Sequence, residues 1–240
     1  MRIFLAGASG VIGQRLLPLL LGAGYQVTGT TRSAENAARL RSAGVTPAVV
    51  DVFDALALRQ AMMAAAPDVV IHQLTDLPRV LDPAAMAAAL SRNARLRQEG
   101  TRNLVTAMRA AGARRIVAQS IAWVYAAGTP PYRESDALDR EATGDLRVTI
   151  DGVIALEALV GGSGLHGIVM RYGRLYGPGT WSATPPDAPA LHVDAAAHAA
   201  FLAVERGEPG HYNIAEDDSA VTCAKARERL GFDPAFRLPL

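Results

Sequence analysis

A glycine-rich loop, GASGVIG, begins at the seventh residue of the chain. It follows an apolar run at residues 3–6 and precedes a helical pattern at residues 11–21, so we expect it to connect a strand to a helix. Glycines at such a turn let the backbone approach a pyrophosphate, and the helix N-terminus offers it free N–H groups. The loop therefore predicts a dinucleotide site, although a tight turn without a ligand would also use these glycines. The residues assigned to the site are Gly7, Ala8, Ser9, Gly10, Val11, Ile12 and Gly13.

Three residues, Thr31, Arg32 and Ser33, come at the end of the second predicted strand. An acidic residue at this place would hold the ribose hydroxyls of NAD and would repel the 2′-phosphate of NADP. Arginine can instead bind that phosphate through charge-assisted hydrogen bonds. We therefore predict NADP as the cofactor, with NAD possible. The alternative is that Arg32 is simply solvated and that Ser33 caps the next helix.

The third and fourth predicted strands also end in residues that we assign to the cofactor site. Asp51, followed by Val52, is placed to accept a hydrogen bond from an adenine amino group, or else to form a turn. His72, Gln73 and Leu74 come where the nicotinamide half of the cofactor is expected to pass. A buried structural histidine is the alternative for His72.

Ser120 and Tyr125 follow the fifth predicted strand, on the side of the sheet where ligands bind in open α/β folds. We predict them as the catalytic residues, handling the proton of a reaction. Packing roles are the alternative. Without a neighbouring cation the pKa of Tyr125 should stay at about 10, which does not favour proton transfer at neutral pH. The single cysteine, Cys223, excludes an internal disulfide and a cysteine-based metal cluster, and we predict no metal site.

The elements that must position these residues are short apolar runs alternating with helical patterns. The runs lie at residues 3–6, 26–31, 46–50, 69–73, 115–119 and 167–171. Such alternation predicts an α/β fold of the Rossmann type, a doubly wound parallel sheet with at least six strands. A long helix is expected at residues 83–111.

The composition changes after residue 176, where glycines and prolines mark irregular chain. We predict a dinucleotide-binding domain at residues 1–176 and a small, shortened substrate lobe at residues 177–240. The lobe would contain a strand at residues 211–215, while residues 191–206 would pack back on the first domain.

The charge and hydropathy of the chain exclude several kinds of partner. The formal net charge is +1 and half of the residues are hydrophobic, so no field of one sign would attract nucleic acid or a membrane. No apolar run reaches the roughly 18 residues that span a bilayer, and no secretory signal is recognised. We expect a cytoplasmic protein with a small-molecule substrate. A homodimer through the alanine-rich helices is possible.

Four further segments complete a family pattern. They are residues 100–104, 119–125, 171–179 and 192–194, and with the glycine loop they span about the first 215 residues. Together they resemble the extended short-chain dehydrogenase/reductase group, also called the NAD-dependent epimerase/dehydratase family. The resemblance implies a Rossmann domain for a nicotinamide dinucleotide and a lobe that closes over a substrate, often a nucleotide sugar.

The sequence departs from this family at the catalytic pair. Family members use Tyr-x-x-x-Lys, in which the lysine lowers the pKa of the tyrosine so that the phenol can exchange a proton. Here Lys225 is the only lysine, and Val221 stands four residues before it. When Glu157 is aligned with the family's helix glutamate, Thr149 and Val153 take the places of the pair. Neither side chain can perform that proton chemistry.

Two further departures bear on function. Arg97 stands where the family usually has an asparagine, and only a short segment separates residues 179 and 192. A small substrate is therefore expected rather than a nucleotide sugar. Our first hypothesis is an atypical NADP-dependent oxidoreductase that acts on a small carbonyl or hydroxyl compound. The second is a catalytically silent protein that senses NADP(H).

Overall fold

The computed structural model describes residues 1–78, 82–217 and 220–239. Within these residues the strands are β1 (Arg2–Ala6), β2 (Gln26–Thr31), β3 (Thr46–Val49), β4 (Val69–His72), β5 (Arg115–Ile121), β6 (His166–Tyr172), β7 (Arg174–Tyr176), β8 (Ala190–His192) and β9 (Gly210–Ile214). Seven of them form one parallel sheet in the order β3-β2-β1-β4-β5-β6-β9, and β7 pairs with β8 separately. The predicted α/β fold with a parallel sheet is confirmed.

Helices cover both faces of this sheet. They are α1 (Val11–Gly22), α2 (Ala34–Ser42), α3 (Ala55–Ala65), α4 (Pro83–Arg95), α5 (Thr101–Ala111), α6 (Gly144–Gly161), α7 (Val193–Leu202) and α8 (Ala224–Leu230). Successive side chains of a strand point to opposite faces. In β1, Ile3 and Leu5 accordingly join one apolar core with α1 and α7, while Phe4 and Ala6 join a second core with α3 and α5. Because both faces are buried, the strands read as continuous apolar runs.

The strand order reverses between β1 and β4, which are neighbours in the sheet but follow each other only after two further strands in sequence. At such a reversal the loops after the two strands diverge and leave a crevice at the carboxyl ends of the strands. The glycine loop follows β1, and residues 73–74 follow β4. The topology therefore brings the two predicted cofactor segments together.

The helix predicted at residues 83–111 is continuous but not uniform. A five-residue π-helical segment, Leu96–Gly100, joins α4 to α5. Single π-helical turns within α-helices are often found at functional positions. This one carries Arg97 against α6, where a Cβ at Gly152 would lie 3.0 Å from Ala94 Cα and 3.3 Å from Arg97 Cδ. The glycine thus allows α6 to pack closely on this segment.

One expectation about the C-terminal region was wrong. The strand expected in the lobe at residues 211–215 is β9, and it pairs in parallel with β6 as the seventh strand of the main sheet. Its inward side chains Tyr212 and Ile214 are fully buried in the core that α7 also joins. An isolated short apolar run does not reveal which strand it will pair with, because that pairing joins residues distant in sequence. The division at residue 176 itself stays a prediction.

Helix α7 packs against α1 on the outside of the sheet. Arg15 of α1 forms a salt bridge with the buried Asp194, with an Nη2–Oδ2 distance of 3.0 Å. The Leu238 N–H donates to the same carboxylate. Within the described residues, no helix is long and apolar enough to cross a membrane.

Candidate functional site

The glycine loop forms a backbone cradle, residues Gly7–Gly13, between β1 and α1. Gly7 has a φ of +94°, and a Cβ there would lie 2.7 Å from the Gln73 carbonyl oxygen. A Cβ at Gly13 would lie only 2.3 Å from the Gly7 carbonyl oxygen. Both positions therefore require glycine. The Gly10 N-cap makes no side-chain hydrogen bond to the helix, which leaves N–H groups of the first turn of α1 available to a ligand.

The end of β2 supports this glycine cradle. The Gly7 N–H donates to Thr30 Oγ1 at 3.1 Å, and Thr31 Oγ1 accepts from the Ser33 N–H at 3.2 Å. Ser33 also caps α2 by accepting from the Asn36 N–H at 3.3 Å, so the capping role left open by the sequence is present. Arg32 is exposed and has no ion pair within the described part of the chain.

The residues after β3 are held in a turn. Asp51 is exposed, and its Oδ1 accepts from the Phe53 N–H at 2.9 Å, which is the turn-forming role considered for it. Its other carboxylate oxygen has no hydrogen bond in the described residues. Val52 is buried, and its carbonyl accepts from Asn103 Nδ2 at 2.9 Å. This bond ties the loop to α5.

His72 is a buried residue with a defined tautomer. The Leu74 N–H donates to its Nδ1 at 3.3 Å, so Nε2 carries the proton and donates to Thr101 Oγ1 at 3.0 Å. Burial, together with the charge of Arg97, lowers the pKa of His72 to about 4. The imidazole is therefore neutral at physiological pH. This arrangement is the structural role that the sequence left open.

Gln73 lies beneath the glycine cradle and carries an unpaired polar atom. Its Nε2 donates to Tyr172 Oη at 3.2 Å, whereas its Oε1 is buried with no partner among the described residues. The Gly177–Thr180 turn lies on the other side of the helix N-terminus, since a Cβ at Gly179 would be 3.8 Å from Val11 Cγ1. Close backbone approach and free helix N–H groups together fit a bound dinucleotide.

Ser120, one of the two predicted catalytic residues, belongs to a buried polar cluster. Its hydroxyl donates to Glu157 Oε1 at 2.8 Å. Arg171 binds the same carboxylate with both Nε and Nη2, at 2.9 and 2.7 Å. His211 Nε2 lies 3.2 Å from Glu157 Oε2. The hydroxyl proton of Ser120 is therefore already used in a hydrogen bond to a buried carboxylate.

Tyr125, the other predicted catalytic residue, joins the same cluster. Its hydroxyl accepts from Arg171 Nη1 at 2.9 Å and donates to Asn213 Oδ1 at 2.6 Å. The Asn213 N–H in turn donates to Glu134 Oε1 at 2.9 Å. We call Ser120, Tyr125, Glu157, Arg171 and Asn213 the Glu157 cluster. It links β5, β6, β9 and α6.

The electrostatics of the cluster favour fixed protonation states. Burial alone would raise the pKa of Glu157, but the hydrogen bonds and charges of Arg171 and His211 outweigh it and lower the pKa to about 2. Burial raises the pKa of Tyr125, although Arg171 opposes that shift. Glu157 thus stays ionised and Tyr125 stays protonated at neutral pH. Such groups stabilise packing more readily than they exchange protons, and a catalytic role for Ser120 or Tyr125 stays a prediction.

Neither of the two positions aligned with the family's Tyr-x-x-x-Lys pair carries a side chain that can act as a general acid. Val153 is completely buried in an apolar group with Ile121, Val124 and Ile150. Thr149 is partly buried, and its carbonyl accepts from Arg97 Nη1 at 3.4 Å. Among the described residues, no group of three or more His, Cys, Asp and Glu side chains is arranged to hold a metal ion.

Sequence reasoning missed most of the Glu157 cluster. It used Glu157 only to align a helix and included Arg171 only within a family segment. It did not consider Asn213, His211 or Glu134. A buried acidic residue within an apolar helix pattern is a usable signal, because such a charge requires a partner. The identity of that partner could not be read, since it lies on another strand.

These elements define a nicotinamide-dinucleotide-binding Rossmann fold, and the comparisons with known proteins give the family. The chain belongs to the NAD dependent epimerase/dehydratase family, which it matches over residues 3–191. The predicted family is thereby confirmed. The chain is 41% identical over 242 residues to a 3-diazoavenalumate denitrifying reductase from a Streptomyces species, which covers 92% of this chain and 77% of that protein.

Solved structures agree on the fold. UDP-glucose 4-epimerase from Thermotoga maritima superposes with a TM-score of 0.78 at 17% identity, covering 99% of this chain and 94% of the epimerase. A dTDP-glucose 4,6-dehydratase from Streptomyces venezuelae, determined with NAD bound, gives a TM-score of 0.76 at 18% identity, covering 99% and 93%. At these identities the similarity supports the fold alone.

Proposed function

We propose that this protein is an NADP(H)-dependent reductase of a small aromatic substrate that carries a diazo group. The observation that carries the proposal is a contrast within the site. The glycine cradle is complete, while the position of the family's catalytic lysine is filled by Val153 in an apolar group. Such a site suits a reduction in which the protein supplies no proton.

The cofactor would be held by the backbone of the glycine cradle, with its ribose end near Thr31 and Arg32. When bound, the reduced dinucleotide supplies a hydride. The role of this chain is then to orient the two reactants and to exclude water. The neutral His72 and the Leu74 backbone would lie next to the nicotinamide half.

The choice of substrate follows from charge. A carbonyl that accepts a hydride becomes an alkoxide and needs a proton in the transition state, which general acids supply for about a hundredfold or more in rate. An aryl diazonium carries a positive charge, so hydride addition at its terminal nitrogen gives a neutral aryl diazene. The diazene then loses its N–H proton and N₂, the electron pair of the broken carbon–nitrogen bond stays on the ring carbon, and that carbon takes up one proton. Atoms and charge balance without a proton from the protein.

The relative from Streptomyces supports this substrate class. Its name states that it reduces a diazo compound with loss of nitrogen, and its similarity covers 92% of this chain. A small carbonyl or hydroxyl compound remains the other substrate class considered for the first hypothesis. A silent NADP(H) sensor is favoured by a separate observation, the saturated hydrogen bonding of Ser120 and Tyr125.

A turnover assay tests the proposal. When the protein is mixed with NADPH and 3-carboxybenzenediazonium, one benzoate and one N₂ should form for each NADPH that is oxidised. Gly13→Ala, which disrupts the glycine cradle, is the control for uncatalysed reduction. Turnover of aldehydes or ketones but not of the diazonium would move the assignment to the carbonyl class, and tight binding without any turnover would support the sensor.

The cofactor preference is a separate prediction. We expect NADPH to bind at least about tenfold more tightly than NADH, because Arg32 has no ion pair within the described residues and no acid occupies the ribose position. Arg32→Ala should reduce the difference in binding free energy between NADPH and NADH by about 1–3 kcal/mol, which is the scale for losing a charged hydrogen-bonding partner. Fluorescence titration with both cofactors measures it, with the exposed Arg41→Ala as the matched control. Equal affinities in the unmutated protein would contradict it.

A cytoplasmic location and a possible homodimer stay predictions. Cell fractionation and analytical ultracentrifugation are the respective measurements.

A further inference from the structure

Arg97 is a buried cation that the Glu157 cluster does not use. Its side chain is only 9% exposed and lies in the π-helical segment, against Gly152 of α6. In the described residues its one hydrogen bond is the long contact to the Thr149 carbonyl at 3.4 Å. It forms no salt bridge there. A guanidinium has five N–H donors, so most of its binding capacity is unused.

The local charges do not compensate Arg97. Glu157 is the carboxylate whose charge it feels, but Arg171 and His211 already bind both oxygens of that group. The nearby His72 is neutral, and burial lowers the pKa of Arg97 to about 10, which still leaves it charged. Arg97 therefore has no carboxylate of its own among these groups. A buried charge without a partner is unfavourable, so an anion bound there would be strongly stabilised.

The position of Arg97 is at the edge of the sheet where substrates bind in this kind of fold. It lies between His72, at the carboxyl end of β4, and the first half of α6, on the edge of the sheet where ligands bind in α/β folds. The side-chain atoms that are enclosed without a partner are Gln73 Oε1 and His198 Nδ1 among the described residues. The unpaired nitrogens of Arg97 are not among these enclosed atoms, so they keep some exposed surface.

We propose that Arg97 binds the carboxylate of an aromatic acid substrate, a role that rests on the proposed reductase function and specifies the substrate of the same site. The name of the Streptomyces relative's substrate, avenalumate, also denotes the anion of an acid. An arginine can bind a carboxylate through two parallel hydrogen bonds, which fixes orientation as well as charge. Arg97 then directs one end of the substrate, and the diazo group lies at the other.

Binding to the complex with NADP⁺ tests this role without turnover. Calorimetry should show cinnamate binding at least about tenfold more tightly than cinnamamide. Arg97→Met should abolish that preference and leave the affinity for NADP⁺ within threefold, while Arg97→Lys should keep part of the preference. Arg59→Met, an equal charge change at an exposed position of α3, should alter neither.

Stability separates a binding role from a structural one. Arg97→Met replaces an uncompensated cation by an apolar side chain of similar length, so the Tm of the ligand-free protein should stay unchanged or rise. A lowered Tm with an unchanged cinnamate preference would overturn the proposal. So would a loss of NADP⁺ affinity alone, because it would assign Arg97 to the cofactor. A cinnamate preference without diazonium turnover would retain the anion site and reject the proposed reaction.

Discussion

The glycine cradle and the Glu157 cluster lie at the same edge of one sheet, but they are built in opposite ways. The cradle consists of backbone groups and glycines, and it leaves helix N–H groups and the Arg32 side chain without partners in the described residues. In the cluster, both oxygens of Glu157 and the hydroxyl of Tyr125 are fully used. Unfilled polar groups indicate a place for a ligand, whereas filled ones indicate a fixed structure. On the proposed function, this chain keeps the family's cofactor site, and packing takes the place of the family's proton chemistry.

The largest expected effect tests the structural nature of the Glu157 cluster. Glu157→Gln removes the charge opposite Arg171 but keeps the shape, and we expect the free energy of unfolding to fall by about 3–5 kcal/mol. Urea denaturation measures it, with the exposed Glu141→Gln as the control. A loss below about 1 kcal/mol would show that the cluster does not hold β5, β6 and α6 together.

The same carboxylate predicts a pH dependence. The pKa of Glu157 is lowered from 4.5 to about 2, so the unfolded state binds the proton more readily. The stability from this group is complete above about pH 4.5 and is lost as the pH falls toward 2. Denaturation midpoints of the unmutated protein should fall through this window, and those of Glu157→Gln should fall less steeply. Parallel curves would contradict the assignment.

The next effect tests the glycine cradle. Gly13→Ala places a Cβ 2.3 Å from the Gly7 carbonyl oxygen, so the loop must move away from its binding geometry. NADPH affinity should fall at least about a hundredfold, which corresponds to about 2.7 kcal/mol. Gly22→Ala, in the same helix with nothing within 4 Å of the added Cβ, should bind normally and be slightly more stable. Normal binding by Gly13→Ala would remove the cradle from the cofactor site.

The smallest effect decides the role of Tyr125. Tyr125→Phe leaves the buried Asn213 Oδ1 without its donor, which should lower stability by about 1–3 kcal/mol. If the hydroxyl proton of Tyr125 serves only in this structural hydrogen bond, the substitution should change kcat by less than about threefold. Tyr132→Phe, whose hydroxyl bonds to Gly128 near the surface, serves as the control. A hundredfold drop in kcat would instead make Tyr125 the proton donor and weaken the argument for a diazo substrate.

The sequence was informative where a feature is local and uninformative where it joins distant segments. The glycine loop, the first six strands and the Ser33 cap depend on neighbouring residues, so their patterns could be read directly. The start of α6 could not be read from an apolar pattern, because the helix begins at Gly144 and residues 144–148 are exposed. The place of β9 depends on pairing with β6, and the Glu157 cluster joins side chains from four elements. No spacing along the chain encodes such contacts.

The packing of α7 on α1 has a consequence for synthesis. About 180 residues separate the starts of the two helices. Because ribosomes add roughly 5–20 residues per second, α7 is synthesised about 9–36 s after α1. During that time the apolar surface of Leu16, Leu17 and Leu20 lacks the alanine face that later buries it. The nascent chain therefore exposes an apolar, aggregation-prone surface on its N-terminal helix until late in translation. Chaperone capture in that interval, rather than the strength of the finished core, would then limit the yield of folded protein.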